Sequence, residues 1–306
     1  IDFEKIDEAC HFIPSGMNVW EGRIERFPLT ELYCYRALRD SRRLERSLGT
    51  LGGGNHFVEI DRAKDGTNYL VIHSGSRRLG RDVASFHKVA AFFYACGIDP
   101  KEAARKKLRP CEIKSGHSLG ECFLSGRLLE EYLSDMKIAV NYASESRKAM
   151  GETIISRMNL YPVSSFTTIH NYIDTENKIL RKGAVSAQAG ETIIVPINMK
   201  DGALICRGRG NSDWNYTAPH GSGRVLRRSK AKEIITLDEF KAEMEGVFTT
   251  SVNESTIDES PMAYRRVDEI LNIINPTAEV IEHILPVYNF KASKPVIDED
   301  TMDGED

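Results

Sequence analysis

The sequence predicts an α+β protein: one composite domain, residues 1–306, of mixed β-sheets carrying a helical insertion over about residues 82–150. Three observations predict it. Short β-branched runs bounded by Gly or Pro lie on both sides of that stretch, as β-strands with turns require. Between them the apolar residues follow helical spacing. No low-complexity linker and no repeat of solenoid period cuts the chain in two.

In chain order, Phe3 and Ile6 around Asp7-Glu-Ala-Cys10 predict an amphipathic helix. Residues 29–47 read as a second helix, with Leu32, Tyr35, Leu38 and Leu44 among arginines. Residues 49–54 are glycine-rich and predict a loop. Residues 57–60 and 69–72 read as buried strands. The helical stretch then runs to about residue 150, interrupted near Pro110 and Ser115-Gly116. Beyond Gly151 the runs 166–169, 178–180, 192–195 and 203–206 predict strands, and helices return at 237–244 and near 267–274.

Composition excludes several classes. Of the 306 residues, 41% are hydrophobic and 28% charged, an ordinary balance for a globular chain. No run of eighteen apolar residues exists, so no membrane partner is expected. The six cysteines form no CxxC pair, which predicts reduced thiols in a cytoplasmic protein and excludes a zinc ribbon or disulfide framework. The net charge of −4 excludes a uniformly basic nucleic-acid coat. A local basic strip exists nonetheless. Residues 181–232 hold ten Lys/Arg against Glu191, Asp201 and Asp213, whereas Asp298, Glu299, Asp300, Asp303, Glu305 and Asp306 form an acidic end.

Four of the eight histidines stand in unusual settings. His56 follows the glycine loop. His73 ends Leu70-Val-Ile, and His170 ends Phe166-Thr-Thr-Ile. A ring at the end of a buried strand is held rigidly and projects into whatever lies beyond, as metal ligation requires. The ligand types alone leave Mn, Zn, Fe and Ni open. His220 sits in Ala218-Pro-His-Gly-Ser-Gly-Arg224, where flanking glycines leave the imidazole uncrowded and Arg224 offers bidentate phosphate recognition. A neutral imidazole is a competent nucleophile toward phosphorus. The glycines of residues 49–55 allow backbone N–H groups to approach a phosphate.

Leu48-Gly-Thr-Leu-Gly-Gly-Gly-Asn-His-Phe-Val-Glu59, Val71-Ile-His-Ser-Gly-Ser-Arg77, Ile169-His-Asn171, Arg181-Lys-Gly-Ala184 and Ala218-Pro-His-Gly-Ser-Gly-Arg224 resemble, in order, the signature blocks of the RtcB family of RNA-splicing ligases. The resemblance covers roughly residues 48–291. It implies an RtcB-like domain that joins RNA 3′-phosphate or 2′,3′-cyclic phosphate ends to 5′-hydroxyl ends, with GTP and two Mn²⁺ ions. By the same match His220 carries GMP as a covalent intermediate, and His56, His73 and His170 are metal ligands. Asn55, Phe57, Val58, Glu59, Asn171, Pro196, Met199, Gly221, Ser222, Gly223, Arg224 and Lys291 would bind the nucleotide, and the work would be tRNA splicing or RNA repair.

The family's first block, Asp-x-Gly-Cys-Gly-Met, is absent; it bridges the metals through its Asp and Cys. Asp7-Glu-Ala-Cys10 has the spacing but lacks both glycines and reads as helix. The block is expected upstream of Ile1. The chain as it stands is therefore expected to lose one of its two manganese ions and to be inactive in guanylylation. Pro196-Ile-Asn-Met199, Ala203 and Arg227 also depart from the family pattern. Two other readings stay open: a nucleotide-dependent enzyme that caps or repairs 3′-phosphate RNA or DNA ends, and a non-catalytic relative that binds RNA ends. A dedicated activating protein is left open as well.

Overall fold

The structure is a computed structural model and describes residues 1–22 and 26–292; the acidic C-terminal run lies outside the described residues. Helices and antiparallel sheets are both present, which is the α+β class expected. The chain clusters into two compact units. One comprises Ile1–Val19, Gly49–Gly75 and Ser146–Asp306, and the other Trp20–Leu48 and Ser76–Glu145.

The first unit is built on the strands Phe57–Arg62 (β1), Asn68–His73 (β2), Thr192–Asn198 (β6), Gly202–Gly208 (β7) and Ala278–Phe290 (β9), in the order β2-β1-β9-β7-β6. Every pairing in it is antiparallel. Two further hairpin-like pairs stand beside it: Asn171–Asp174 (β3) with Ile179–Lys182 (β4), and Ala184–Ser186 (β5) with Thr217–Pro219 (β8). On one face of β1, Val58 and Ile60 pack with Tyr288 and Phe290 of β9 against Ile6 and Cys10 of the helix Phe3–Phe12 (α1). Alternation along β1 then sends Phe57, Glu59 and Asp61 to the opposite face.

Asp7 of α1 accepts a hydrogen bond from the Tyr288 hydroxyl (3.0 Å), and Cys10 is 1% exposed with burial pushing its thiol up to about 12. Both side chains serve the fold, as the helical reading of Asp7-Glu-Ala-Cys10 requires. The helix Gly126–Met158 (α5) contributes Met150 and Ile154 to the same core. A second cluster joins β5–β8 to the helix Val267–Ile274 (α8) through Val185, Ile193, Val195, Leu204, Ile270 and Ile274. The helices Arg228–Ile234 (α6) and Leu237–Glu243 (α7) enclose a third, around Met199 and Phe240.

The second unit is helical: Ser41–Ser47 (α2), Arg78–Ala95 (α3), Pro100–Arg105 (α4) and α5 as far as Glu145. Here the reading of residues 29–47 as one helix is corrected. Only α2 is α-helical; Leu29–Glu31 and Tyr35–Ala37 are single 3₁₀ turns. The cause is Asp135, whose buried carboxylate takes the N–H groups of Tyr33 (2.7 Å) and Cys34 (3.1 Å) and so removes donors that a helix would use. Two strand expectations also shift. Residues 166–169 pair with no strand, and β3 begins only at Asn171, where Lys182 provides a partner. Lys178 has φ 56°, a turn conformation, so β4 starts at Ile179.

Asp135 also meets the His87 ring at Nε2 (2.8 Å). Burial alone would raise its pKa, but the bonds from His87, Tyr33 and Cys34 outweigh that and hold it below the usual carboxylate range. A depressed carboxylate contributes stability above its unfolded value, about 3.9, that is lost as pH falls through the lower folded value. Asp135→Asn keeps one acceptor and loses the charge, which is expected to cost about 1–3 kcal/mol at neutral pH. Urea titrations of both proteins check this: the gap should close as pH falls below about 3.9, and an equal gap at all pH values would assign it to packing instead.

Candidate functional site

Four imidazoles gather in the first unit. The turn after the glycine loop, where the His56 N–H donates to the Gly53 carbonyl (3.3 Å), places His56 just before β1. Antiparallel register sets Phe57 opposite His73, and their rings stack at 5.4 Å. His56 and His73 lie 5.7 Å apart between ring centroids, His73 and His170 5.6 Å, and His170 and His220 4.5 Å. All four predicted histidines therefore stand in one file.

The surrounding segments hold the rings in place. Gly75 lies against His56 and Gly183 against His220, where a Cβ would be in van der Waals contact at 3.9 Å and 3.4 Å. Arg147 donates to the Ser74 carbonyl (3.0 Å) and to Thr167 Oγ1 (2.8 Å), tying the segment after His73 to the one before His170. The Asn171 side-chain oxygen accepts the Gly183 N–H (2.8 Å), and the Gly183 carbonyl in turn meets Nδ1 of His220 at 2.6 Å. A carbonyl only accepts, so Nδ1 carries the proton and Nε2 keeps its lone pair.

Burial keeps three of these rings neutral. It lowers His73 well below its ordinary value, aided by His56, His170, Lys291 and His220. Burial and then His220 bring His170 down to about 4. His220 is lowered by burial, against an opposing contribution from its bond to Gly183. Neutral imidazole is the form that ligates metals and attacks phosphorus.

The donor chemistry suits a first-row metal ion, and Nδ1 of His170 is buried without a hydrogen-bond partner. The geometry is less complete. Among the described residues, no three of His, Cys, Asp or Glu close on one centre.

Beside the histidines runs a buried ladder of charge. Glu59, 2% exposed, accepts from Asn289 Nδ2 at 2.5 Å. Burial raises its pKa to about 7 against the pull of Lys291 and Asn289. Asp61, fully buried with neither carboxyl oxygen hydrogen-bonded, is pushed well up by burial and then by Glu59. Lys291 pairs with Glu259 (3.1 Å) and lies 5.3 Å from the centre of the Phe57 ring. Burial would raise Glu259, but Lys291, Arg228 and Arg224 bring it down to about 2. Val58 faces the other way, into the α1 core.

Arg224 is not where its motif suggested. Its guanidinium faces inward to Glu259 (3.2 Å), the Tyr264 hydroxyl (2.9 Å) and the carbonyls of Leu226 and Asp258. It therefore braces the loop from below. Ser222 fastens the loop to β6, its N–H donating to the Pro196 carbonyl (3.0 Å) and its hydroxyl to that of Ile197 (2.6 Å). A Cβ on Gly221 would stand 3.1 Å from the Pro196 oxygen, a contact that would push the loop outward by a few tenths of an ångström. Gly223 has φ 74°, and Met199 lies buried in the third core.

The basic strip is also partly internal: Arg181 is buried against Asp174, while Arg228 and Lys232 pair with Asp258. In the glycine loop, the N–H groups of Gly49 and Leu51 are taken by Ser146 and Pro14, leaving fewer for a phosphate than the sequence suggested.

Sequence reasoning missed Gly183, Asn289, Glu259, Arg228 and Asp61 as parts of this neighbourhood. Gly183 stood within a recognised block, and Asn289 two residues before Lys291; the carboxylates carried no local signature.

The family profile described as tRNA-splicing ligase RtcB matches residues 34–292. The chain is 29% identical over 255 residues to the RNA-splicing ligase RtcB of Escherichia coli (strain K12), covering 77% of this chain and 59% of that protein. It is 28% identical over 283 residues to the tRNA-splicing ligase RtcB of Aeropyrum pernix, covering 76% and 56%. The RNA-splicing ligase RtcB of Mycobacterium tuberculosis is 25% identical over 281 residues, 75% of this chain and 61% of that protein. The chain thus spans about three-fifths of the length of these relatives. With the profile covering most of its length and the histidine file in place, the chain belongs to the RtcB family.

Proposed function

We propose that this chain is the nucleotide-transferring part of a GTP- and Mn²⁺-dependent RNA ligase that joins 3′-phosphate or 2′,3′-cyclic phosphate ends to 5′-hydroxyl ends. One observation carries the reading. His220 is neutral, its Nδ1 is committed to the Gly183 carbonyl, and its other nitrogen is left as a nucleophile on a glycine-flanked loop.

In this reading Nε2 attacks the α-phosphorus of GTP, a P–N bond forms, and the bond to the pyrophosphate leaving group breaks. An RNA 3′-phosphate oxygen then displaces the imidazole, giving an activated RNA–GMP end. The 5′-hydroxyl attacks the 3′-phosphorus and GMP leaves. The Gly183 carbonyl fixes the ring and stabilises the positive charge that develops on it, as a hydrogen-bond acceptor does for a catalytic imidazole. Glu59 on β1 and Lys291, one residue past the end of β9, would offer an acceptor and a donor to the hydrogen-bonding edge of guanine. His56, His73 and His170 would hold Mn²⁺, which when bound supplies polarisation of phosphoryl oxygens.

The family match supports RNA as substrate, and among the described residues no helix is long and apolar enough to cross a membrane. A cytoplasmic setting agrees with six free thiols.

Two predictions follow from the ring and its carbonyl. Full-length protein incubated with GTP and Mn²⁺ should gain an acid-labile GMP on His220, detected by intact mass. His220→Ala should bind GTP, take up no label and join no RNA ends; an adduct persisting in that variant would sink the assignment. A gel resolving capped from joined RNA separates ligation from end repair.

The second prediction concerns Gly183, whose φ of 63° disfavours any side chain and where a Cβ would touch the His220 ring at 3.4 Å. Gly183→Ala should remain folded, because the strain of about 1–3 kcal/mol is local. It should slow GMP labelling by about tenfold, the effect of misplacing a nucleophile by a fraction of an ångström. Unchanged labelling kinetics would show that the ring's position is not set there.

A further inference from the structure

The turn leading into β8 holds two side chains that the fold does not use. Trp214 is 56% exposed and Tyr216 37% exposed. Large aromatic rings normally contribute most by burial, so two left in water on one turn require an account.

The backbone sharpens the question. Asn215 and Tyr216 both have positive φ, 50° and 53°, the left-handed region that bulky residues avoid. Glycine at either position would make the turn without strain. Strain of this kind persists only where surroundings hold it, and here they do. The Asn211 carbonyl accepts the N–H groups of Trp214 (3.2 Å) and Tyr216 (2.9 Å), and the Tyr216 carbonyl accepts that of Ala187 (2.8 Å). Arg181, its side chain 1% exposed, reaches Thr217 Oγ1 (3.1 Å), Asp174 (3.0 Å) and the Tyr216 carbonyl (3.5 Å). A rigid base thus supports rings that are free to meet a partner.

From Tyr216 the chain runs through Thr217–Pro219 to His220. Four residues of extended strand span about 13 Å, a few nucleotides of single strand. The exposed cations nearest this turn in sequence are Arg207 and Arg209, opposed by the exposed carboxylates of Asp213 and of Glu279, which lies opposite Arg207 across the β7–β9 pairing. Exposed aromatics a few residues from exposed arginines suit a single-stranded nucleic acid, whose bases stack on rings while its phosphates meet the charges.

We propose that Trp214 and Tyr216 form a stacking platform for unpaired bases of the RNA strand whose 3′ end is presented to His220. This rests on the ligase reading and adds to it a preference for single-stranded 3′ ends. Strand binding without sequence preference is expected, because every base offers a π face.

Trp214 is also a built-in reporter, since the chain's other tryptophan, Trp20, is buried. The test uses full-length protein and a labelled single-stranded RNA oligonucleotide ending in a 3′-phosphate. Anisotropy of the label reads binding, and tryptophan emission reads stacking. Binding should quench emission in the unaltered protein, and the quench should vanish in Trp214→Phe, which keeps a ring and most of the affinity. Trp214→Ala should weaken binding by about tenfold, the order expected for losing one stacked base, while GMP labelling of His220 stays unchanged. RNA binding without quenching, together with full affinity in Trp214→Ala, would overturn the platform and leave the ligase reading intact. Absence of RNA binding by the unaltered protein would overturn both.

Discussion

The hydrogen bond between Nδ1 of His220 and the Gly183 carbonyl is the contact on which the rest of the site depends. It selects the tautomer, fixes the ring plane and leaves the opposite nitrogen with its lone pair, as the proposed chemistry needs. Its geometry is inherited from the β5–β8 ladder, which pairs Ala184 with Pro219 and so sets Gly183 beside His220. Asn171 holds Gly183 from its other side, and His170 is the next residue back. One short antiparallel pair therefore places the proposed nucleophile and a candidate metal ligand at once.

Burial gives this arrangement its chemistry. Imidazoles packed ring to ring and out of water cannot readily carry charge, so they remain neutral at ordinary pH. In the adjoining ladder Glu259 shows the converse: its charge is held in the interior because Lys291, Arg224 and Arg228 converge on it. Glu59, bonded to the Asn289 amide, is raised to about 7. Asp61 finds no hydrogen-bond partner, and is pushed toward the neutral form instead.

The histidine file was legible in the sequence because a histidine next to a glycine loop or closing an apolar run has few places to go. Helices with clear periodicity, such as Val267–Ile274, were equally legible. Residues 29–47 were misread because the competing partner, Asp135, lies about a hundred residues away and leaves no local trace. The longest strand, Ala278–Phe290, went unread for a different reason. Pro286 stands inside it, opposite a register shift between Ile60 and Asp61 on β1 and beyond the last β7 pairing at Ile284. The inward turn of Arg224 was likewise invisible, since its partners come from 34 and 35 residues further on.

The most direct test of the central claim is the protonation pattern of His220 itself. Two-bond ¹H–¹⁵N spectra of histidine-labelled full-length protein at neutral pH report which ring nitrogen carries the proton, and loss of one spin system in His220→Ala assigns it. A proton on Nδ1 and an unprotonated Nε2 is the predicted result. A proton on Nε2, or a doubly protonated ring, would contradict the account, because the nitrogen proposed to attack phosphorus would then have no lone pair to offer.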